Sequence, residues 1–523
     1  MKITKIRLQN FRAYDEPFEL DLGDGRNLLL HGENGSGKSS LYFALKRFFE
    51  ERGDDFTRHR NHFSDGTRAS EVTIGIKGTD AQGNTHDCEV PWTDADGHPL
   101  RPQLAASAAV SPVLRSLMVD AARRSGFLDY RSLLRTNLFA KPIPRESDRF
   151  DAHDLLYGAE RGGLEAQLFD IATWVILDGV RTTVGGTETT IGTLIRDVWR
   201  NRPASRHARR MRSAEWATTR FNEAFAAVLP ALEQKTSEFL AQFNGCGVTL
   251  SFDPVSISWD KRTLSLDGAI LVPSITFRGQ VLDDFSGTLN EARLSALAIC
   301  LFLAGVRLSD NDDQNPAHPR FLFLDDTLIG LELQNRLPIL EILTSPEFQN
   351  YQIFLLTHDR VWFELARGHL PTNAGWCHHE LIGDESTGHL IPKSSPCQAD
   401  LTIAERHLAN NDLKAAAVYA RSAFEWKLRN VCEKKGIKLP FKENTAQVGA
   451  GALWDGIMER QRERAAAGGR DFVPAQLANR VQTIRTTVLN RLSHTGAHGL
   501  VAAEVQAAID TIRDVHNHPF PNA

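Results

Sequence analysis

Apolar and polar residues alternate along the start of the chain, and this pattern predicts β-strands. Residues 3–11 alternate as one strand, residues 17–22 form a second, and the apolar run at 27–30 predicts a buried third strand. Residues 39–46 then have the pattern of a helix. Further apolar runs predict buried strands at 321–324 and 352–356 and a helix at 292–304. The mixture predicts an α/β fold.

The pattern changes twice along the chain. Residues 70–92 and 247–280 have the character of strand pairs, whereas the interval between them shows no sustained heptad and is interrupted by Pro and Gly, which predicts a compact helical insertion without a long coiled coil. Beyond a short linker at 393–396 nearly every residue fits helices. We therefore predict two halves of one α/β domain at 1–95 and 246–396, a helical insertion at 96–245, and an all-α domain at 397–523.

The segment HGENGSGKSS at residues 31–40 matches the phosphate-loop pattern G-x-x-x-x-G-K-[ST] between a predicted strand and a predicted helix. Its glycines let backbone N–H groups approach phosphates, and the helix N-terminus faces the anion. Lys38 is expected to reach the β and γ phosphates, and the Ser39 hydroxyl to ligate Mg²⁺. We predict an ATP and Mg²⁺ site whose loop residues are Gly32, Asn34, Gly35, Gly37, Lys38, Ser39 and Ser40.

The order L-x-N-F-R, strand, G-x-N-G-x-G-K-S-S resembles the ATPase heads of the SMC, RecF and DNA-repair ABC class. The resemblance implies an ABC/SMC-type P-loop ATPase head in which Arg12 approaches the nucleotide. It also implies that Asp325, at the end of an apolar strand, holds magnesium and that Asp326 polarises the attacking water. The family usually has glutamate at that second position, so the shorter Asp326 predicts slow or conditional hydrolysis. His358 corresponds to the switch histidine that contacts the γ-phosphate.

The signature motif of this class is degenerate in residues 286–291, SGTLNE. When Glu291 is aligned with its last position, Thr288 replaces the serine, and Leu289 and Asn290 replace two glycines. Asn290 is then either a γ-phosphate donor to a second head or a helix cap. The resemblance implies that heads dimerise with ATP, each completing the other's site, and it places a D-loop at residues 330–332.

The helical tail resembles the HEPN superfamily, which includes many ribonucleases, on the patterns A-R-x-x-x-E and L-N-x-x-S-H. Arg491 and His498 also meet the loose HEPN spacing. Anticodon nucleases of the PrrC and RloC type similarly join an ABC-type ATPase to a tail with arginine, glutamate and histidine. Such chemistry assigns catalytic roles to Arg421, Glu425 and either His494 or His498. The alternative is a structural Arg421–Glu425 salt bridge in an inactive interaction module.

Charge and cysteine content limit the kinds of partner, metal site and compartment expected for this protein. The 523-residue chain has 60 Lys+Arg, 65 Asp+Glu and a net charge of −5, so any nucleic-acid contact must use local patches. The strongest basic cluster lies at residues 196–212, near Trp199 and Trp216. The six cysteines form no C-x-x-C pair, and the segment Cys377-His378-His379 lacks a second ligand pair, which favours reduced thiols over a zinc site. With no signal segment and no apolar run long enough to cross a bilayer, we predict a cytoplasmic protein.

Three functional hypotheses follow from these patterns. In the first, an ATPase of an anti-phage or stress defence system controls RNA cleavage by the HEPN-like tail. In the second, the chain is a non-nucleolytic scaffold that oligomerises with ATP and regulates a separate partner nuclease, as in Septu PtuA-like systems. In the third, it is a RecF-like DNA-repair ATPase with DNA-stimulated hydrolysis. The expected partners are further copies of the chain through the ATPase heads, a partner nuclease, and DNA as trigger or RNA as substrate, with no membrane.

Overall fold

The computed structural model of the protein divides into two compact units, Met1–His378 and His379–Ala523. Each unit is built around its own buried apolar core. The structure describes residues 1–49, 56–64, 66, 68–79, 85–93, 118, 121, 125–130, 133, 180–203, 207–243, 247–252, 256–262, 264, 266–268, 273–282, 285–310, 319–381, 396–439, 448–489 and 501–521.

The first unit begins with an antiparallel sheet. Strands β1 (Lys2–Gln9), β2 (Phe18–Asp21), β4 (Glu71–Thr79) and β5 (Thr85–Thr93) form it in the order β2-β1-β4-β5. The predicted alternation is present, because Ile6 and Leu8 of β1 are fully buried while the residues between and beside them are partly exposed. This sheet carries the loop at residues 10–14 to the phosphate loop.

A second, five-stranded sheet contains the predicted buried strands. Strands β3 (Asn27–Gly32), β6 (Gly126–Asp129), β14 (Phe321–Asp325), β15 (Gln352–Thr357) and β16 (Trp376–Leu381) have the order β16-β3-β15-β14-β6. The pairings β3–β15, β15–β14 and β14–β6 are parallel. Helices α1 (Lys38–Phe49) and α7 (Arg360–His369) pack against these strands. The carboxyl ends of four parallel strands therefore meet at one edge, as expected for a ligand site in an α/β sheet.

Stacked phenylalanines hold this parallel sheet in register. Phe323 of β14 lies opposite Phe127 of β6 and Phe354 of β15. Its ring centroid is 4.4 Å from that of Phe127 and 4.5 Å from that of Phe354. All three side chains are buried. Because a one-residue slip would turn each ring to the other face of the sheet, this stack helps fix which residues end each strand.

The rest of the first unit combines a hairpin, helices and short strands. Strands β7 (Arg181–Val184) and β8 (Thr187–Thr190) pair, and helices α2 (Ile191–Arg200) and α3 (Ala208–Leu240) follow them. The hairpin and strand β6 of the main sheet both lie within residues 96–245, which the sequence predicted as a helical insertion. Strands β9 (Val248–Phe252), β12 (Pro273–Phe277) and β13 (Gln280–Val281) form one small sheet, and β10 (Ile257–Trp259) pairs with β11 (Leu266–Gly268).

Three more helices of this unit lie near the predicted signature and D-loop. Helix α4 (Phe285–Thr288) is a single turn, α5 (Glu291–Ser309) extends the predicted helix in both directions, and α6 (Leu333–Thr344) follows the D-loop. Helix α5 is apolar and long enough to span a bilayer by length and composition, but 78% of its apolar window is buried. Its packing against α3 and within the main core gives it the role of a core helix.

The second unit is helical, as predicted. It comprises α8 (Pro396–Ala409), α9 (Leu413–Lys434), α10 (Ala450–Ala466), α11 (Ala475–Ile484) and α12 (Ala502–Asn517), and α11 continues into a π-turn at Arg485–Leu489. Helix α9 begins where the Asp412 carboxylate accepts a hydrogen bond from the Ala415 N–H. Its buried alanines, among them Ala416 and Ala420, allow close packing against α8.

The cysteine and histidine segment lies in a strand, one of the two structures, strand or loop, that the sequence left open. Cys377 and His378 lie in β16, where the Cys377 thiol donates to the Asn27 carbonyl and His378 Nε2 lies 2.7 Å from the Leu370 oxygen. Within the described ranges no group of three or more metal-ligating side chains is present. The five described cysteines are free thiols.

Candidate nucleotide-binding site

The phosphate loop connects β3 to α1 in the way its sequence predicts. Gly35 has φ +87° and Gly37 has φ +94°, a backbone region in which a side chain would be strained. Lys38 begins α1 and is 4% exposed. Its ammonium donates to the carbonyls of Gly32 (2.6 Å) and Glu33 (3.1 Å). The loop thus wraps around the lysine, and burial lowers the lysine's pKa against the opposing effect of nearby acids.

A loop from the first sheet supports the phosphate loop from behind. The buried Tyr14 hydroxyl donates to the Gly37 carbonyl at 3.1 Å, and the Ala13 N–H lies 3.4 Å from Ser40 Oγ. Burial raises the pKa of Tyr14, so its hydroxyl stays protonated and can donate. No local sequence pattern identifies Tyr14 as part of the site, because only the pairing of distant segments brings it to the loop.

Arg12 occupies a constrained position on this same loop. Its φ is +51°, its N–H donates to the His59 carbonyl (2.7 Å), and its own carbonyl accepts from the Asn61 side chain (2.7 Å). The guanidinium lies 4.3 Å from the ring centroid of Phe43 on α1. Arg12 is therefore held at the surface beside the helix that starts at Lys38, which is compatible with its expected approach to the nucleotide.

Two adjacent strands end in buried carboxylates. Asp325 ends β14 and Asp129 ends β6, and the two residues are paired in the parallel register. Both are at most 9% exposed. Asp129 was not predicted from the sequence, although the run from Gly126 to Leu128 followed by an acid is a short version of the apolar strand that ends at Asp325.

Asp325 has the environment of a metal ligand. Burial, followed by the negative charge of Asp326, raises its pKa to about 7, while a hydrogen bond from Ser39 and the charge of Lys38 act in the opposite direction. Its Oδ1 atom is buried and has no hydrogen-bond partner among the described residues. A buried carboxylate oxygen without a partner is unfavourable unless a cation or proton satisfies it. Asp325 and Ser39 therefore fit Mg²⁺, a hard cation that prefers oxygen ligands.

Asp326, the residue after Asp325, is hydrogen-bonded to His358, the predicted switch histidine. Asp326 Oδ1 accepts the backbone N–H of His358 at 2.7 Å and lies 3.0 Å from its Nδ1. The other oxygen, Oδ2, is 3.8 Å from the Lys38 ammonium. Asp326 has φ +53°, a conformation that aspartate tolerates better than most residues because its short side chain bonds to nearby backbone. This gives a physical reason for aspartate at a position where the ATPase class that the sequence resembles usually has glutamate.

Beyond these acids, an arginine with two partners holds the segment predicted as the D-loop, residues 330–332. Arg336 of α6 donates to the Leu331 carbonyl (2.8 Å) and to the Asp359 carboxylate (2.6 Å), and Asp359 also caps α7 by accepting the Trp362 N–H. A cleft lies between these groups and Asp326. The cleft therefore lies next to the carboxyl edge of the sheet, and the hydrogen bonds of Arg336 hold its walls in place.

The degenerate signature caps a helix. Asn290 Oδ1 accepts the Arg293 N–H at 3.1 Å, so the side chain forms the N-cap of α5. Thr288, Asn290 and Glu291 all lie at the surface. A Cβ added to Gly330 of the predicted D-loop would lie 2.4 Å from Ser295 Oγ of α5, so a larger residue there requires the Ser295 side chain to move. The cap uses only the oxygen of Asn290 and leaves its amide group for the predicted role toward a second head.

In the helical unit the predicted pair Arg421 and Glu425 is bonded. Arg421 Nε donates to Glu425 Oε1 at 3.0 Å, and its Nη1 donates to the Leu489 carbonyl at 3.1 Å. Glu425 also accepts the Ala450 N–H at the start of α10 (3.4 Å). The pair therefore links α9 to the end of the π-turn and to α10. His494, with Arg491 and His498, lies outside the described residues.

Comparison with known proteins identifies part of the chain. Residues 1–89 match the family AAA_15, described as an AAA ATPase domain. No curated protein sequence matches the chain. One similar solved structure is an SMC head bound to the C-terminal winged-helix domain of ScpA, with 13% sequence identity, a TM-score of 0.38, and coverage of 76% of this chain and 98% of that one. Another is the SMC head of Thermotoga maritima, with 13% identity, a TM-score of 0.30, and coverage of 76% of this chain and 99% of that one. The structure of the recombination mediator RecF with ATP is also similar, with 15% identity, a TM-score of 0.36, and coverage of 69% of this chain and 92% of that one. The first 89 residues, which contain the phosphate loop, thus match an ATPase domain.

Proposed function

We propose that the protein is a magnesium-dependent ATP hydrolase. The observation that carries this proposal is the convergence of Lys38, Asp325 and Asp326 at the carboxyl edge of one parallel sheet, with Lys38 Nζ 3.8 Å from Asp326 Oδ2. A buried cation beside two carboxylates is the charge arrangement that phosphoryl transfer requires, because negative charge must be bound at one end and water oriented at the other. The family match over residues 1–89 supports it.

Different residues of the site bind the phosphates, hold the metal and activate the water. Lys38 and the backbone of the phosphate loop bind the phosphates, and Ser39 and Asp325 hold Mg²⁺. Bound Mg²⁺ neutralises charge on the phosphate oxygens. Asp326 orients the attacking water and accepts its proton. Because Asp326 Oδ1 is shared with His358 and Oδ2 faces Lys38, the acid is held back from water, and basal hydrolysis is slow.

Phosphate release from ATP, with and without Mg²⁺, tests this proposal. Asp325→Asn removes the metal ligand but keeps the size of the side chain. Substitutions in a metal's outer shell already cost about 10–100-fold, so we expect at least that reduction for a direct ligand. Asp24→Asn is the matched control, since the Asp24 side chain is 92% exposed. Equal hydrolysis by the Asp325→Asn variant and the control would refute the assignment.

We propose further that this ATPase controls RNA cleavage by the helical unit in a defence role. In support of this, Arg421 donates both to Glu425 and to the carbonyl of Leu489, the last residue of the π-turn. Leu489 precedes the sequence-predicted His494 and His498 by five and nine residues. The expected roles are a cation at the phosphate for Arg421 and proton transfer for Glu425 and a histidine. The catalytic roles of Arg421, Glu425 and the histidine are taken from the resemblance to the HEPN superfamily.

RNA integrity is the direct test of the second proposal. Bulk tRNA is incubated with the wild type, Glu425→Ala and His494→Ala, with and without ATP. Cleavage abolished in both variants but retained in Glu433→Ala, an exposed position on the same helix, would support an RNA-cleaving unit. Intact RNA in every reaction would exclude cleavage under these conditions and favour a partner nuclease.

One observation favours the scaffold alternative. Arg421 and Glu425 both bond to backbone groups of neighbouring elements, at Leu489 and Ala450, which is what a purely structural ion pair does. A scaffold would form ATP-dependent oligomers through the heads and leave RNA intact. Light scattering after size-exclusion chromatography, with ATP and the Asp326→Asn variant to slow turnover, measures that assembly. A RecF-like repair role instead predicts hydrolysis stimulated by DNA.

A further inference from the structure

Helix α3 exposes a basic stripe that the nucleotide site does not use. Arg209, Arg212, Trp216 and Arg220 follow one another at spacings of three, four and four residues and therefore lie on one face of the helix. The opposite face, which includes Met211, Ala214 and Phe221, is buried in the main core. The stripe thus faces solvent, and core packing does not account for its residues.

The described part of the chain places no carboxylate within salt-bridge distance of the arginines of this stripe. Two carboxylates of this region are paired with other cations, Glu215 with Lys261 (3.0 Å) and Asp197 with Arg200 (3.9 Å). Among the described residues, Arg209, Arg212 and Arg220 form no ion pair with a carboxylate. The chain as a whole carries a net charge of −5. A run of unpaired positive charge on an acidic protein attracts anionic partners.

An exposed tryptophan sits in the middle of the stripe. The Trp216 residue is 54% exposed, and the Arg220 guanidinium lies 4.6 Å from its ring centroid. Tryptophan is on average a highly buried residue, so at this exposure Trp216 offers a large aromatic surface to a ligand. The ring therefore remains accessible to solvent beside Arg220 and the other arginines of the stripe.

We propose that this face of α3 binds single-stranded nucleic acid. The arginines contact the phosphate backbone, and a base stacks on Trp216, the combination that single-strand binding surfaces use. The stripe from Arg209 to Arg220 is about 16 Å long at 1.5 Å per residue, so it can contact several successive phosphates of one strand. Glu223, exposed on the same face one turn further on, ends it. Single-stranded DNA and RNA share this chemistry. The surface goes beyond the proposed hydrolysis and does not depend on it.

Binding to labelled oligonucleotides tests the surface. Fluorescence anisotropy is measured for the full chain with a dT 20-mer, a U 20-mer and a 20-base-pair duplex between 50 and 200 mM NaCl. We expect both single strands to bind more tightly than the duplex, and their ratio identifies DNA or RNA as the preferred strand. Trp216→Ala should weaken single-strand binding about 5- to 100-fold, while Trp216→Phe retains most of the affinity because stacking persists.

The salt dependence of oligonucleotide affinity distinguishes phosphate contacts made by the stripe arginines from attraction by any surface arginine. The double variant Arg209→Gln/Arg212→Gln should reduce the slope of log affinity against log salt by about 1.4, because each arginine that binds a single-strand phosphate adds about 0.7 to that slope. Arg462→Gln, an exposed arginine of the second unit, should leave the slope unchanged. Unchanged affinity in Trp216→Ala, an equal effect of Arg462→Gln, or no binding by the wild type would each overturn the proposal.

The two proposals fail separately in this design. Asp325→Asn, which abolishes the proposed hydrolysis, should bind the oligonucleotides as the wild type does. Trp216→Ala should hydrolyse ATP at the basal rate in the absence of nucleic acid. Failure of Asp325→Asn to bind the oligonucleotides would contradict an independent surface on α3.

Discussion

Asp326 and His358 are joined through one oxygen atom. Asp326 Oδ1 accepts the His358 N–H at 2.7 Å and lies 3.0 Å from Nδ1 of the same residue. The sequence predicts both residues as parts of the catalytic site but does not predict that one restrains the other. Because the backbone N–H is part of the pairing, substitution of the histidine side chain alone removes only half of the restraint. The bond therefore links the ends of two neighbouring strands, β14 and β15.

Asp326→Asn should separate nucleotide binding from hydrolysis. The amide keeps the size of the side chain and tolerates the left-handed backbone, but it cannot accept a proton from water. We expect hydrolysis to fall about 10²-fold or more, with ATP affinity within about threefold of the wild type, measured by phosphate release and by equilibrium binding of a fluorescent ATP analogue. Retained hydrolysis would show that another group activates the water.

Asp326→Glu should destabilise the fold even though glutamate is common at this position in the ATPase class that the sequence resembles. The longer side chain breaks the short bond to the His358 N–H and is less suited to φ +53°. We expect a decrease of about 1–2 kcal/mol in the free energy of unfolding, measured in urea. The matched control is Glu341→Asp, a conservative acid exchange at an exposed position of α6. A variant as stable as the wild type would contradict the explanation offered for aspartate.

The raised pKa of Asp325 predicts a stability that falls with pH. Its pKa is about 7 in the folded chain against about 3.9 unfolded, so between about pH 4 and 7 the folded state holds a proton that the unfolded state lacks. The free energy of unfolding therefore decreases as pH rises through that window and is constant above it. We expect a decrease on the order of 3 kcal/mol relative to Asp325→Asn in buffers containing EDTA.

Thermal denaturation of wild type and Asp325→Asn at pH 5, 6, 7 and 8 measures this difference. Other titrating groups are shared, so the comparison isolates Asp325. Mg²⁺ should stabilise the wild type more at pH 8 than at pH 6, because a proton competes with the cation at lower pH. Parallel pH curves for the two proteins, or an Mg²⁺ effect independent of pH, would contradict the assigned environment.

Tyr14→Phe should weaken ATP binding through the shape of the phosphate loop. The substitution removes the hydroxyl that donates to the Gly37 carbonyl and leaves the ring packed. One such hydrogen bond is worth about 0.5–1.5 kcal/mol, so we expect Kd for ATP to rise about two- to tenfold. Tyr351→Phe is the control, because Tyr351 is also buried and bonded, to the Val306 carbonyl. Equal effects of both variants on Kd would indicate a general decrease in stability.

Two substitutions of Glu425 distinguish a structural from a catalytic role. Glu425→Gln keeps an oxygen that accepts from Arg421 and the Ala450 N–H, whereas Glu425→Ala leaves both donors without it. We expect Glu425→Ala to lower the free energy of unfolding by about 1 kcal/mol and Glu425→Gln by about half of that, since the pair is partly exposed. Absence of RNA cleavage in the stable Glu425→Gln variant, with cleavage by the wild type, would indicate catalysis.

Local patterns in the sequence determined a large part of this protein. The phosphate loop was predictable because glycine, lysine and serine at fixed spacing meet local geometric needs, positive φ at Gly35 and Gly37 among them. The apolar runs of β3, β14 and β15 identified buried strands, and the helical pattern of the tail indicated its class. Caps such as Asn290 also follow from a residue and its next turn.

Only the tertiary structure decided which of these pieces meet. Asp129 lies beside Asp325 because β6 pairs with β14, although 196 residues separate them in the chain. Tyr14 reaches Gly37, and His358 holds Asp326, for the same reason. Strand order and register depend on packing between distant segments, including the stack of Phe127, Phe323 and Phe354, and no local pattern encodes them. The sequence therefore determined the chemical groups of the site, while packing decided their partners, their burial and the state of their protons.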